Sequence, residues 1–384
     1  MMTRDEIKAR ILRLETLVIR HPQFVAAQDA ILDLELRRPA AMPVGPDAGP
    51  PSDLVEDDAP FDFSEDGLED ASPGGGALTQ YCVMIVGPAG TGKSHVLTSI
   101  QALPEMQVDT SGRYGDRRPV VRLDVPDFAN PKQTVVEIMR AVGAPVPKRL
   151  TRNGVASRLR YQFQQLETRL LMLDEAHSFV DGQGEAGLRA NGKFLKFLLN
   201  SCGVPIAMAG EELLEELRTS KALKRRTDAL VELRPYSWSD PDEQLEFLDI
   251  LGQLEDAMGF GTDAALSTDM ELACRLYFAS EGSVGLLTKI LSQALKLALK
   301  AGASGIDRRM LSSAFRLENP ASVLVADDPD IFVAPVGGRD DPFLVDAAKF
   351  KAMWKARYSA PPVDRSRKTG IRRAPKRAAQ GLSL

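Results

Sequence analysis

The strongest constraint on the fold is a glycine-rich octapeptide that directly follows an apolar strand. The predicted strand at residues 81–86 leads into Gly87-Pro88-Ala89-Gly90-Thr91-Gly92-Lys93-Ser94, and residues 95–103 are predicted as the helix after it. This is the P-loop pattern Gly-x4-Gly-Lys-Ser in the context that it requires. Backbone N–H groups and the helix N-terminus would bind phosphates, Lys93 would reach the β- and γ-phosphates, and Ser94 would ligate Mg²⁺. The sequence therefore predicts a site for ATP and Mg²⁺.

A second apolar strand ends in two adjacent carboxylates. Residues 170–173 read Leu-Leu-Met-Leu and run into Asp174 and Glu175, with a strand–helix unit between them and the P-loop. At the edge of a parallel sheet, Asp174 would hold Mg²⁺ through water and Glu175 would polarise an attacking water. Because Glu175 can activate that water, the pair favours hydrolysis. A kinase would instead transfer the phosphoryl group to an alcohol or acid.

An arginine that stabilises the γ-phosphate is the remaining part that phosphoryl transfer needs. The basic run at residues 221–226 precedes a possible fifth strand, and its last residue, Arg226, is the candidate finger, with Arg225 as runner-up. It would act in trans on a neighbour's ATP. The alternative is a solvated basic helix end.

The chain is long enough, at 384 residues, for two or three domains. We predict an N-terminal helical extension at 1–38, an acidic flexible linker at 39–78, an α/β P-loop core with a parallel sheet at 79–236, an all-helical lid at 237–317 and a disordered basic tail at 318–384. The extension would be a cap on the core or a docking hairpin for a partner. No apolar run is long enough for a membrane span, residues 1–20 lack the apolar centre of a signal peptide, and the three cysteines suit a reducing cytoplasm.

The net charge of −5 conceals two blocks of opposite sign. Residues 39–78 carry no Lys or Arg, whereas residues 349–384 carry eleven basic residues and one acid. Within the acidic block, Phe61 and Phe63 would be a docking motif or part of a passive tether. The tail would clamp DNA or carry a partner-docking motif near Phe350, Trp354 and Tyr358, which would lie on one helical face. The alternative is that this helix folds back on the lid. The charge of the whole chain therefore does not exclude a nucleic-acid partner.

Together, the P-loop, the Asp-Glu pair, the arginine run and the helical lid resemble an AAA+ ATPase. Three segments resemble the TniB/TnsC family of transposition ATPases, which are relatives of MuB. They are Leu-Leu-Met-Leu-Asp-Glu-Ala-His at 170–177, Gly-Lys-Phe-Leu-Lys-Phe-Leu-Leu-Asn at 192–200 and Val-Pro-Ile-Ala-Met-Ala-Gly at 204–210. His21-Pro22 also resembles TniB. The likeness covers about residues 4–38 and 79–317.

The resemblance implies a bacterial, cytoplasmic protein that assembles with ATP into rings or filaments on double-stranded DNA. Such a protein selects the target, recruits or activates the transposase, works with a TniQ-like target adaptor, and is disassembled by hydrolysis. Two positions depart from the pattern. Glu211 stands where a Thr or Asn would sense the γ-phosphate, and we expect its carboxylate to point away. The lid segment 281–285 lacks the sensor arginine of many AAA+ proteins, which would fit slow hydrolysis.

Two basic clusters are candidates for DNA phosphates, and binding through them would be salt-dependent. One lies between the second and third strands and comprises Lys148, Arg149, Arg152, Arg158 and Arg160. The other follows the Asp-Glu strand and comprises Arg189, Lys193 and Lys196. The alternative for each is a solvated surface.

Two other functions fit the same motifs. The chain could load a replicative helicase, or it could be a signalling or defence NTPase that switches protein partners without DNA. A metabolic kinase is least favoured, because no small-substrate pocket is evident.

Overall fold

The computed structural model describes residues 4–36, 61–63, 81–109, 117–260, 266–318 and 341–358. The chain divides into two compact units, Met1–Ile306 and Asp307–Leu384. Most of the acidic segment 39–78 and most of the tail 318–384 lie outside the described residues, and so does the disorder expected there.

Five parallel strands form the centre of the first unit. They are β1 (Cys82–Val86), β2 (Val120–Asp124), β3 (Leu170–Asp174), β4 (Ile206–Gly210) and β5 (Thr227–Glu232), in the spatial order β2-β3-β4-β1-β5. β1 and β3 begin within one residue of their predicted positions, and the fifth strand, which the sequence indicated only weakly, is present. The predicted parallel sheet is therefore confirmed.

The helices of the first unit cover both faces of this sheet and continue beyond it. They are α1 (Arg4–Glu15), α2 (Pro22–Leu36), α3 (Lys93–Gln101), α4 (Pro131–Ala141), α5 (Arg152–Gln165), α6 (Glu185–Ser201), α7 (Lys221–Lys224), α8 (Pro241–Met258), α9 (Met270–Ser280) and α10 (Val284–Ala301). The sequence prediction missed α5 as a helix, since its one apolar face is interrupted by arginines. Its start is fixed by Thr151, whose hydroxyl accepts a hydrogen bond from the backbone N–H of Gly154.

Alternate residues of each strand enter two separate cores. Cys82, Met84 and Val86 of β1 pack toward α4, α5 and α6, whereas Val83 and Ile85 pack toward α2 and α3. This is the period of two expected of a pleated sheet that is buried on both faces.

The N-terminal extension forms part of the core. Phe24, Ala27 and Ile31 of α2 are buried against β1 and α3, and Glu35 forms an ion pair with Arg169 at the start of β3. α1 packs on α8 and α10. Because the apolar face of α2 is already used, the extension fits the predicted cap and not the alternative, a hairpin that docks a partner.

A short piece of the acidic segment is also packed on the core. Phe61 and Phe63 are 1% and 5% exposed, and their ring centroids lie 5.1 Å apart. Both rings also contact Phe194 and Phe197, at centroid distances of 5.6–6.1 Å. The Phe61 N–H donates to the carbonyl oxygen of Leu150. The expectation of a passive tether or an exposed docking motif is therefore wrong at these residues, because burying two phenyl rings stabilises the packed segment by several kcal/mol, on the order of 2–3 each.

The second unit contains two described helices, α11 (Arg308–Glu318) and α12 (Ala347–Tyr358). Phe343 stacks edge-on against Phe315, and Asp341 accepts hydrogen bonds from Ser312 and Arg316. The helical row predicted for Phe350, Trp354 and Tyr358 is present, with neighbouring rings 6.1 and 4.6 Å apart. The tail is thus not unstructured throughout, and the three functions suggested for this row remain open.

None of the described helices combines the length and the apolar character that crossing a bilayer requires.

Candidate functional site

The carboxyl ends of three neighbouring strands bring the candidate residues together. The P-loop follows β1, Asp174 ends β3, and Glu211 follows β4, which lies between them. The backbone N–H of Gly87 donates to the carbonyl oxygen of Gly210 at 3.3 Å, so the end of β4 is tied to the start of the P-loop. The sheet order therefore gathers residues that are more than 80 positions apart in the sequence.

Lys93 is buried beneath its own loop. Its side chain is 8% exposed, and its ammonium group donates to the carbonyl oxygens of Gly87 and Pro88, both at 2.8 Å. The Thr91 hydroxyl donates to Pro88 as well, at 2.9 Å. Among the described residues, the hydrogen-bond partners of this ammonium group are thus carbonyl oxygens of its own loop.

Burial lowers the pKa of Lys93, because desolvation disfavours the ammonium form. The carboxylates of Glu175, Glu211, Asp174 and Glu212 act in the opposite direction and hold the charge. Glu211 therefore lies within electrostatic reach of Lys93, and the direction in which its carboxylate points stays a prediction.

Asp174 has a partner that the sequence analysis did not identify. The carboxylate is buried, and it accepts a 2.6 Å bond from Arg122 of β2 and a 3.0 Å bond from the backbone N–H of Glu175. Arg122 also donates to Thr98 of α3 at 2.8 Å. The signal for this residue was an arginine between apolar residues of β2, which marks a charge that needs a partner.

Glu175 adopts the left-handed backbone conformation, with φ 52°, and its side chain is half exposed. His177 lies beside it, with 3.3 Å between Nδ1 and the carboxylate oxygen. The same Nδ1 accepts the backbone N–H of Glu211 at 3.4 Å. His177 thus lies beside both the Glu175 carboxylate and the backbone of Glu211, and the Asp-Glu-Ala-His sequence carried no indication of this.

These residues fit a magnesium nucleotide. Gly92 has φ 96°, and a Cβ placed on it meets no atom within 4 Å, so an open hollow lies over the start of α3. The exposed Ser94 is the second residue of α3, and buried Lys93 and Asp174 stand beside the same loop. Hard oxygen donors and backbone N–H groups of this kind suit Mg²⁺ and phosphate.

The arginine run lies at the opposite edge of the sheet from the P-loop. The carbonyl oxygen of Arg226 accepts the N–H of Cys82 at 2.8 Å, and Cys82 begins the strand whose far end carries the loop. Four residues of strand separate the two by roughly 13 Å. Arg225 is exposed and Arg226 is half-buried, and the role of either as an arginine finger stays a prediction.

The first predicted DNA cluster separates into surface and interior residues. Lys148 and Arg149 are exposed. Arg158 is only 8% exposed, and the Arg152 guanidinium stacks on Phe63 at 4.7 Å and binds the carbonyl oxygen of Asp62. Arg158 and Arg152 are therefore engaged in the fold. In the second cluster, Lys193 and Lys196 are half-buried, and Arg189 is exposed and pairs with Glu185.

The N-terminal extension is hydrogen-bonded to the segment between β5 and the following helices. His21 is 8% exposed, and its Nδ1 accepts the hydroxyl of Tyr236 at 2.7 Å. Burial, with the nearby charge of His95, lowers the pKa of His21 to about 4. The imidazole is therefore neutral at pH 7.

With this geometry established, comparison with known proteins identifies one family. Residues 71–236 match the family described as "Bacterial TniB protein". This segment, which is less than half of the chain, is similar to the TniB family. It spans the P-loop, the Asp-Glu pair and the arginine run, and its P-loop, its strand order and the helices after β5 confirm the predicted AAA+ fold.

Solved structures similar to the chain include the Cdc6p protein from Pyrobaculum aerophilum, with a TM-score of 0.41, 16% identity, and coverage of 61% of this chain and 59% of that one. The Aeropyrum pernix ORC1 protein in complex with DNA has a TM-score of 0.44, 17% identity, and coverage of 64% and 62%. The Thermotoga maritima RuvB branch migration motor has a TM-score of 0.37, 13% identity, and coverage of 63% of each chain. The chain thus spans about three fifths of these structures. No curated protein matches the chain.

His21 makes the stability of the fold depend on pH. Because its pKa is about 4 in the folded chain against 6.5 when unfolded, its stabilising effect is complete above pH 6.5 and is lost as pH falls toward 4. We expect the loss to approach about 3 kcal/mol. His21→Gln, which keeps an acceptor without titrating, should lose less free energy of unfolding between pH 7.5 and pH 5 in urea titrations.

Lys132→Ala, a substitution at an exposed residue, is the control. It should retain the pH dependence of the wild type. Equal decreases in the free energy of unfolding between pH 7.5 and pH 5, in the wild type and in His21→Gln, would contradict the role assigned to His21.

Proposed function

We propose that this chain is an ATP-dependent regulator of DNA transposition. It oligomerises on double-stranded DNA in its ATP form, selects the target, and recruits or activates a transposase, together with a TniQ-like adaptor. The observation that carries the proposal is the TniB match over residues 71–236, which include every residue of the candidate ATP site. The two alternative functions, helicase loading and a DNA-independent switch, have no such observation in their favour.

In the proposed reaction, Lys93 exchanges its two loop carbonyls for phosphate oxygens, and the N–H groups of residues 87–94 bind the same phosphates. Ser94 and Asp174 would hold Mg²⁺, which when bound neutralises charge that develops on the phosphate oxygens. Glu175 polarises the water that attacks the γ-phosphorus, so that the bond to the β–γ bridging oxygen breaks and ADP leaves.

The proposed coupling between hydrolysis and assembly depends on Arg226. Because this residue lies at the sheet edge opposite its own P-loop, it would stabilise the γ-phosphate of an adjacent molecule. A triphosphate would therefore join two copies of the chain, and hydrolysis would release them. Arg225, which is exposed, is the second candidate for the same role.

The proposed DNA contacts are Lys148 and Arg149, with Lys193 as a weaker candidate. The first two are exposed, and neighbouring positions on an oligomer would repeat them along a duplex. Arg152 and Arg158 are left out of this set, because one holds the segment at residues 61–63 and the other is buried.

Two substitutions in the P-loop core should have opposite effects on DNA binding. Lys93→Ala removes the charge that phosphates need, so we expect ATP-dependent retention of duplex DNA to be lost. Glu175→Gln keeps phosphate binding but removes the carboxylate that activates water, so we expect complexes that form normally and dissociate at least tenfold more slowly. Fluorescence anisotropy with labelled duplex, ATP and Mg²⁺ measures both.

Lys132→Ala and Glu105→Gln are the matched controls, because both side chains are exposed and distant in sequence from the P-loop. Each should behave as the wild type does. Dissociation of Glu175→Gln as fast as the wild type would contradict hydrolysis-driven release, and DNA binding that needs no nucleotide would favour another function.

A mixing experiment tests whether Arg226 acts between molecules. Arg226→Ala and Lys93→Ala should each be nearly inactive as ATPases, since one lacks the finger and the other the phosphate site. In mixed assemblies, an intact P-loop meets an intact arginine at some interfaces, so phosphate release should recover partly. An unchanged rate after mixing, or full activity of Arg226→Ala alone, would contradict the assignment, and Arg225→Ala then tests the runner-up.

A further inference from the structure

The helical segment after β5 contacts the P-loop at one carbonyl group. Ser283, the residue before α10, donates its hydroxyl to the carbonyl oxygen of Gly90 at 2.7 Å. The backbone N–H of Gly285, in the first turn of α10, donates to the same oxygen at 2.9 Å. Two donors from one short turn therefore converge on a single atom of the P-loop.

The two backbones approach so closely that no side chain fits between them. A Cβ placed on Gly285 would lie 2.3 Å from the carbonyl oxygen of Gly90, which is far inside van der Waals contact. A residue with a side chain at Gly285 would thus displace either α10 or the P-loop. This accounts for a glycine in the segment 281–285, which lacks the sensor arginine of many AAA+ proteins.

The contact fixes the direction of a peptide group inside the P-loop. In a trans peptide the C=O and the following N–H point in opposite directions, and none of the described peptide bonds is cis. Since the Gly90 carbonyl points to α10, the N–H of Thr91 points away from it. The Thr91 side chain is held as well, through its bond to Pro88. This peptide is therefore oriented without any ligand.

The turn that makes the contact is itself held in place. Gly282 has φ 75°, and its carbonyl oxygen accepts the N–H of Tyr236 at 3.0 Å. A Cβ on Gly282 would lie 2.3 Å from the carbonyl oxygen of Tyr236. The Tyr277 hydroxyl donates to that oxygen at 2.9 Å. Tyr236 is bonded in turn to His21, so a continuous set of contacts runs from the N-terminal extension to the P-loop.

We propose that Ser283 and Gly285 are positioning residues for phosphate binding: they hold the Gly90 carbonyl so that the Thr91 N–H faces the nucleotide's phosphates. The proposal rests on the proposed nucleotide site. Neither residue touches the phosphates. They remove the need to reorient a peptide group on binding, and such preorganisation strengthens a charge-assisted hydrogen bond.

Gly285→Ala tests the proposal, because alanine favours a helix over glycine and the local effect on α10 is therefore stabilising. The cost is displacement of Gly90 or of the start of α10, either of which breaks the contact. We expect ATP and ADP to bind roughly tenfold or more weakly, as the loss of one hydrogen bond to a charged group predicts. AMP lacks the β-phosphate, so its affinity should fall less than threefold, because fewer phosphate contacts depend on this peptide group. Displacement of a fluorescent ADP analogue from the full-length protein measures all three affinities.

Gly252→Ala is the matched control. Gly252 lies inside α8, and a Cβ there makes only ordinary contacts, at 3.8 Å to Ser267. This variant should bind all three nucleotides like the wild type. Ser283→Ala should weaken ATP and ADP in the same selective way as Gly285→Ala, whereas Ser283→Thr, which keeps the hydroxyl, should restore wild-type affinity.

Three results would overturn the proposal, and they are distinguishable. Unchanged ATP affinity in Gly285→Ala removes the positioning role and leaves the nucleotide site intact. Equal weakening of ATP and AMP, together with a lower melting temperature without nucleotide, assigns the contact to fold stability alone. A wild-type protein that binds no nucleotide refutes the proposed function as well.

Discussion

A buried ammonium group with only neutral partners is the interaction on which the candidate site depends. Lys93 is held by two carbonyl oxygens of its own loop, while the carboxylates around it carry the opposing charge. Neutral carbonyls compensate a buried charge only in part. The arrangement is therefore suited to an anion that can replace them, and phosphate is the anion for which the surrounding backbone N–H groups are shaped.

The parallel sheet makes this arrangement possible because all its strands end at one edge. β4 lies between β1 and β3, so Glu211, the P-loop and Asp174 become neighbours although loops and helices separate them in the chain. The same geometry sends Arg226 to the other edge. In the proposed function, one copy of the chain would therefore supply the phosphate site and a second copy the arginine.

Local patterns in the sequence predicted much of the fold and the core of the site. Five apolar segments with turns between them gave the strands, and the P-loop could be placed because its residues are contiguous. What could not be predicted depends on contacts between distant residues. Arg122 of β2 binds Asp174 of the neighbouring strand β3, and His177 lies beside Glu175 and the backbone of Glu211. Ser283 donates a hydrogen bond to Gly90, which is 193 positions away in the sequence. No periodicity records such pairs.

The acidic segment was misread for a related reason. Its composition predicts a chain with little to bury, yet Phe61 and Phe63 find a pocket whose walls, Phe194 and Phe197, lie on a helix more than 130 positions away. The Arg152 guanidinium stacks on Phe63, so this arginine is engaged in packing and is less available for a surface contact with DNA. A residue that looks like a DNA contact in a basic run can therefore be a packing residue in the fold.

The central claim is that a nucleotide's terminal phosphate joins one copy of the chain to the next on DNA. Sedimentation velocity of the wild-type protein with a short duplex, run in parallel with a non-hydrolysable ATP analogue and with ADP, tests it most directly. The account predicts large DNA-bound assemblies with the analogue and a dissociated protein with ADP. Identical sedimentation in the two nucleotides, whether assembled or not, would contradict it.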